Sequence, residues 1–322
     1  MPRAGRQTVA GRAEQIDDRE HGTGPAARAE QFVPPDWFAR AIAATPEAIS
    51  VRRDGRPIRA YRWGDPGGRP LILVHGAGAN AHWWDHIGPQ LVSDGVQVAA
   101  MDLAGHGESG WVGEYSLSGW AADVLAVAGH LSPRPPLLIG HSAGGRVAWK
   151  AAELYGPDLV AVVSVDGPLP PPAPQPDLSA SRHRLRRAHR IYRDRDEIIR
   201  RFRPTPDQQV VLPYVLDHIA QRSVRPHAEG WTWAHDVRIY HRRRTEEIVA
   251  GPLGCPLFLV IAEKGHNNAA TAALVRPHVP QMSMLTIPDA GHHIMLDQPL
   301  ALVSVLRLII DLATTSARPH SR

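Results

Sequence analysis

The 322-residue chain holds one cysteine, Cys255, so an intramolecular disulfide is excluded. A reducing interior is thereby permitted. Long apolar runs are missing as well, and none approaches the ~20 residues a membrane-spanning helix needs. The opening stretch, MPRAGRQTVAGRAEQIDD, lacks the apolar segment of a secretory signal, so the expected location is cytoplasmic. A P-loop is absent, and the histidines show no H-E-x-x-H zinc spacing. Neither a nucleic-acid motif nor an internal repeat is visible.

What is present is ordinary globular composition, with 43% hydrophobic and 21% charged residues. The length suits one large α/β domain carrying an insertion. The formal net charge is +4 and comes mostly from arginine, as in Arg182, Arg184, Arg186, Arg187 and Arg190. Acids are interleaved close by (Asp194, Asp196, Glu197). The arginines therefore read as a solvated helix face, and no nucleic-acid partner or membrane partner is expected. Residues 1–30 are polar, Gly-rich and charged, the composition of a disordered tail.

Short continuous apolar runs follow. Leu71–Val74, Val96–Met101, Leu137–Gly140, Val160–Val165, Leu257–Ile261 and Met282–Ile287 suit strands buried on both faces of a parallel sheet. Ala48–Trp63 reads as a hairpin turning at Asp54-Gly55. Helical patterns lie between the strands: Trp37–Ala44, His82–Ser93, Leu117–His130, Ser142–Tyr155, Thr271–Val279 and Leu300–Ala313. Strands alternating with helices imply βαβ units. The alternation breaks from residue 168 to 250, where a proline run precedes helical segments near Ser179–Arg203 and Asp207–Val224 and an aromatic Gly230-Trp231-Thr232-Trp233. This stretch reads as a helical cap over the sheet's C-terminal edge, where open α/β sheets bind ligands. The core is then 31–167 and 251–314, with a tail at 315–322.

After the strand at Leu137 comes Gly140-His141-Ser142-Ala143-Gly144, a G-x-S-x-G between strand and helix. A serine on such a strained turn is lifted above the sheet edge, and small residues two before and two after let neighbouring chain approach. Ser142 is the expected nucleophile. The loop Val74-His75-Gly76-Ala77-Gly78 can aim N–H groups at a substrate oxygen, and the expected oxyanion donors are Ala77 and Ala143. Gly76, His141, Trp231 and Trp233 are expected at the substrate, and His75 reads as a buried tie for its loop. Serine needs a base, and His292, in the loop after the last core strand, is preferred over its neighbour His293.

Together these residues resemble the α/β-hydrolase superfamily of serine hydrolases, over roughly Ile58 to Ala313. His75-Gly76-Ala77-Gly78 resembles its HGxG loop, and Asp102 through Ser109 its DxxGHGxS turn, which is generally structural. Gly291-His292 through Pro299 resembles its GHxxxxxxP histidine loop. Tyr192-Arg193-Asp194 through Pro204, with Gly230–Trp233, resembles a capped bacterial subgroup. The resemblance implies an eight-stranded, mainly parallel sheet flanked by helices. Many members carry the triad acid in a Gly-x-x-Asp turn after the strand equivalent to Leu257–Ile261. Here that position holds Gly265. Asp166, which ends the strand following the nucleophile helix, is the preferred acid, and some members similarly carry theirs there. Glu263 is the alternative.

The expected activity is hydrolysis of a carboxylic ester or lactone through an acyl-enzyme, with no cofactor and no metal. Serine at the elbow argues against the dehalogenase and epoxide-hydrolase relatives, which use aspartate. It does not separate esterase or lactonase from C–C hydrolase or cofactor-free perhydrolase (haloperoxidase-type) chemistry, nor from a hydrolase-derived ligand receptor. Trp83-Trp84, Trp231 and Trp233 suit a largely apolar pocket for a small-molecule substrate. The oligomeric state is left open, a homodimer included.

Overall fold

The computed structural model describes residues 33–175, 190–242, 244 and 246–316. The expected tail at 1–30, residues 317–322 and the arginines at 182–187 lie outside them.

Apolar runs without polar alternation form strands only where both sheet faces are covered. The strands are β1 (Glu47–Arg53), β2 (Arg56–Trp63), β3 (Arg69–Val74), β4 (Val96–Met101), β5 (Leu137–His141), β6 (Ala161–Val165), β7 (Val224–His227), β8 (Gly230–Trp233), β9 (Leu257–Lys264) and β10 (Met282–Gly291). Eight of them make one sheet in the order β1-β2-β4-β3-β5-β6-β9-β10. The pairs from β4 across to β10 are parallel, whereas β1 and β2 join antiparallel at one edge. Leu71 and Leu73 face one core cluster, while Ile72 and Val74 face another. Successive strand residues thus feed opposite faces. The expected fold, an eight-stranded and mainly parallel sheet, is present.

The helices are α1 (Asp36–Ala43), α2 (Leu117–Leu131), α3 (Ala143–Tyr155), α4 (Arg195–Arg200), α5 (Pro213–Arg222), α6 (Ile239–Arg242), α7 (Ala269–Val275), α8 (Ile294–Asp297) and α9 (Pro299–Ser316). Among the described residues, no helix is long and apolar enough to cross a membrane. The helix expected over His82–Ser93 is instead two 3₁₀ turns, Ala81–Trp84 and Gly88–Leu91. Pro89 has no N–H to continue a helix. Gly88 also lies so close to Trp63 that a Cβ there would sit 2.7 Å from the ring. The pattern at Thr271–Val279 likewise splits, with a 3₁₀ turn at Arg276–His278 around Pro277.

The chain between β6 and β9 contains strands as well as helices. The aromatic segment forms β8, paired antiparallel with β7, because Trp231, Thr232 and Trp233 favour extended backbone and Gly230 turns the chain at φ +142°. Several hydrogen bonds tie this insertion to loops of the core, three of them as follows. Asp85, after β3, accepts from His218 of α5 at 2.8 Å. Gly107, after β4, donates to the Ala234 carbonyl at 2.7 Å. Leu212 donates to the Leu296 carbonyl, after β10, at 2.7 Å. All three loops lie beyond the C-terminal ends of parallel strands. The chain moves from β3 to β4 on one side and returns to β5 on the other, which is the switch point where α/β sheets open a crevice.

Candidate active site

Ser142 sits at that switch point, between β5 and α3, with φ 54° and ψ −117°. This is a backbone region an L-residue rarely adopts, and it is held by surrounding contacts. The flanking glycines show why. A Cβ at Gly140 would lie 2.6 Å from Gly145 N, and one at Gly144 would lie 2.6 Å from the His75 carbonyl oxygen. No side chain fits at either position. The Ser142 amide donates to the Val165 carbonyl of β6 at 2.9 Å, which pins the turn to its neighbour strand.

His292 lies just past β10, with its ring over this turn. Its Nε2 is 3.0 Å from Ser142 Oγ. Its Nδ1 is 2.7 Å from Asp166 Oδ2. With Nδ1–H donating to the carboxylate, Nε2 carries the lone pair that accepts from the serine hydroxyl. Asp166 and His292 are both buried. Burial, and then the neighbouring His141 and His266, hold the His292 imidazole well below its ordinary pKa. Burial raises the Asp166 carboxyl, against the pull of the His266 N–H. At neutral pH the imidazole is therefore a neutral acceptor. A hydroxyl coupled in this way to an imidazole and a carboxylate can lose its proton as it attacks an electrophile.

The two alternative residues, His293 and Glu263, lie outside this chain of hydrogen bonds. His293 turns away: its Nε2 donates to the Pro206 carbonyl at 2.9 Å and its N–H to Gln208 Oε1 at 2.8 Å. Glu263 is exposed, and its carboxylate accepts from the Asp289 N–H at 2.8 Å. Among the described residues Glu263 has no hydrogen bond to His292, whereas Asp166 does.

The remaining expected residues surround this trio unevenly. Gly76 is close enough that a Cβ would lie 3.2 Å from both Ser142 Cβ and His141 Nδ1. His141 is buried beside His292, and its Nε2 donates to the His292 carbonyl at 3.0 Å. Ala143 opens α3, where the first N–H groups have no intrahelical acceptor. Ala77 is exposed on the loop after β3. His75 is neutral, its pKa lowered to about 4 by burial, and its Nε2 accepts from the Leu103 N–H at 3.1 Å. Trp233 reaches the site through a run of rings: Phe202 at 6.2 Å, then Trp83 at 6.3 Å, then His293 at 5.3 Å. Trp231 instead lies under the Arg195 guanidinium at 5.5 Å, and its main chain pairs with Tyr192.

Sequence reasoning missed His266 and Asn267. The His266 ring lies 3.9 Å from that of His292, and its N–H donates to Asp166 Oδ2 at 2.9 Å. Asn267 is buried beside the same carboxylate. The signal was their place directly after Gly265, where the acid is usually found.

A strand-order switch, a strained serine turn and a serine–histidine–carboxylate chain of hydrogen bonds are the features of an α/β hydrolase. The model of the alpha/beta hydrolase family matches residues 71–305. The chain belongs to that family. It is 30% identical over 277 residues to the esterase Rv0045c of Mycobacterium tuberculosis, a match covering 79% of this chain and 86% of that protein. A crystal structure of that esterase superposes with a TM-score of 0.64 at 25% identity, covering 87% of this chain and 99% of that one. E-2-(acetamidomethylene)succinate hydrolase shares the fold, with a TM-score of 0.69 at 20% identity over 83% of this chain and 99% of that one. The protein is thus an α/β hydrolase with an esterase among its relatives.

Proposed function

We propose that this protein is a serine hydrolase that cleaves a small carboxylic ester or lactone through an acyl-enzyme. The observation that carries the reading is the chain of two hydrogen bonds from Ser142 Oγ through His292 to Asp166, 3.0 and 2.7 Å long, starting on a strained turn. In this reading Ser142 attacks the carbonyl carbon while His292 Nε2 takes its proton. Asp166 keeps the imidazole in the Nδ1–H tautomer and stabilises the imidazolium. The Ala77 and Ala143 N–H groups receive the oxyanion, an effect worth about 3–4 kcal/mol per donor in comparable sites. His292 then protonates the departing alkoxide. Water, deprotonated by the same histidine, releases the acid.

The segment 168–250 serves in this reading as a cap, with Trp233, Phe202 and Trp83 as its apolar route to the acyl site. Its hydrogen bonds to core loops support that role. The name of the relative Rv0045c favours ester over C–C bond cleavage. The test is hydrolysis of p-nitrophenyl butyrate together with labelling by a serine-directed fluorophosphonate. Ester turnover and a single label on Ser142 are expected. No turnover and no label across short- and medium-chain esters and lactones would reject the proposal.

A further inference from the structure

The turn Gly265-His266-Asn267 follows β9. Here the turn is folded around an acid from elsewhere. A Cβ at Gly265 would sit 2.7 Å from Asp166 Cγ and would overlap Oδ2 outright. The space that a side chain at 265 would fill is the space the Asp166 carboxylate occupies. The His266 N–H donates to Oδ2 at 2.9 Å. The Asn267 N–H and Nδ2 face Oδ1 at 3.4 and 3.5 Å. Asn267 Nδ2 also donates to the Gly167 carbonyl at 2.9 Å, so it grips the main chain next to the acid. Asp166 itself is held at φ 45°.

The turn is hydrogen-bonded at both ends. Gly265 N–H donates to the Ala262 carbonyl at 2.9 Å. On the far side Asn268 and Thr271 cap α7 reciprocally, at 2.9 and 3.0 Å. The His266 ring lies against the His292 ring. One short segment therefore touches both the acid and the base.

We propose that Gly265, His266 and Asn267 are positioning residues for the Asp166–His292 pair, and that an acid at 166 and any side chain at 265 are mutually exclusive. The proposal rests on Asp166 being the triad acid. It goes further in saying that position 265 in the turn after β9 is kept free of a Cβ so that the carboxylate from β6 can enter. A carboxylate placed at 265 in the absence of the one at 166 gains access to His292 Nδ1. The two substitutions are therefore non-additive, as expected for groups that share one space.

The experiment compares wild type with Gly265→Ala, Asp166→Ser and the double variant Asp166→Ser/Gly265→Asp. Each is assayed for kcat and KM on p-nitrophenyl butyrate from pH 5 to 9, with near-ultraviolet circular dichroism to confirm the fold. Gly265→Ala is expected to lower kcat at least 100-fold with KM within threefold. The double variant is expected to exceed Asp166→Ser at least tenfold in kcat and to regain the wild-type shape of the pH profile. A Gly265→Ala enzyme within threefold of wild type overturns the proposal, as does a double variant no faster than Asp166→Ser. If Gly265→Ala does not fold, the double variant decides alone. An Asp166→Ser enzyme at the wild-type rate overturns the assignment of the acid itself, a separate outcome from failure of the turn.

Discussion

Replacing Asp166 by asparagine keeps the shape of the acid and removes its charge. The environment of the two oxygens fixes how the amide will settle. Oδ2 faces two good donors, His292 Nδ1–H at 2.7 Å and His266 N–H at 2.9 Å. Oδ1 faces the Asn267 donors at the longer distances of 3.4 and 3.5 Å. An NH2 group at the Oδ2 position would meet the His266 N–H head on, so the amide oxygen goes there and the NH2 goes to the Oδ1 position. The Nδ1–H tautomer of His292 then survives, and the loss is confined to charge stabilisation of the imidazolium. A comparable triad variant that also adopts the wrong tautomer loses about 10⁴ in kcat. Asp166→Asn should lose less, about 10²–10³, or roughly 3–4 kcal/mol of barrier. Steady-state kinetics on a chromogenic ester measures this, with Glu263→Gln as the control expected within twofold of wild type. A near-wild-type rate for Asp166→Asn beside a crippled Glu263→Gln would refute the assignment. A loss of 10⁴ or more would refute the argument about the tautomer.

Ser142→Ala should abolish ester hydrolysis and fluorophosphonate labelling while leaving the free energy of urea unfolding within about 1 kcal/mol of wild type, because only a hydroxyl is removed; residual turnover above about 1% would point to another nucleophile. The acid limb of kcat/KM should fall below pH 6.5, since the base stays neutral until the pH drops through its depressed pKa; a midpoint at or above 6.5 would contradict the burial argument. Stability should also fall on acidification. His75, His86 and His141 are each lowered to about 4 by burial, so the unfolded chain binds protons that the folded one refuses between pH 6.5 and 4. Their stabilisation is complete above pH 6.5 and is lost as the pH falls, by about 2 kcal/mol per group at pH 5. Asp102, raised to about 6 by burial, opposes this by roughly 1–2 kcal/mol, and urea titrations at pH 5 and 8 measure the net loss. Asp123 of α2 is fully buried and pairs with Arg53 and Arg56 of the β1–β2 hairpin; Asp123→Ala should cost about 3–5 kcal/mol by leaving those guanidinium groups unpaired, and a change below 1 kcal/mol would show the pair to be dispensable.

The periodicity of the chain carried the strands, because an apolar run of four to six residues without alternation has few other uses than a doubly covered strand. The serine turn was legible through spacing rather than periodicity, while His292 was preferred for its place after the last core strand and the family resemblance. A strained turn demands small flanking residues, and those leave a local signature at Gly140 and Gly144. Periodicity failed over His82–Ser93, where the ring of Trp63, distant in sequence, packs against Gly88 and Pro89 breaks the helical ladder. It also failed at residues 230–233, whose strand exists through pairing with 224–227.

What the sequence by itself determined was where the core strands lie along the chain, the G-x-S-x-G turn and the absence of an acid at 265. These are local properties, written in residue type and spacing. The sequence preferred Asp166 and kept Glu263 as the alternative, whereas the contact between Asp166 and His292 is visible only in the tertiary structure. Asp166 and Gly265 are 99 positions apart, and their relation is one of volume: the first fills the space the second leaves empty. The same holds for Glu263, whose residue type fits the role but whose side chain is held at the surface by the Asp289 N–H. Exclusion between side chains on neighbouring strands leaves no trace along one chain, because it acts across the sheet rather than along it.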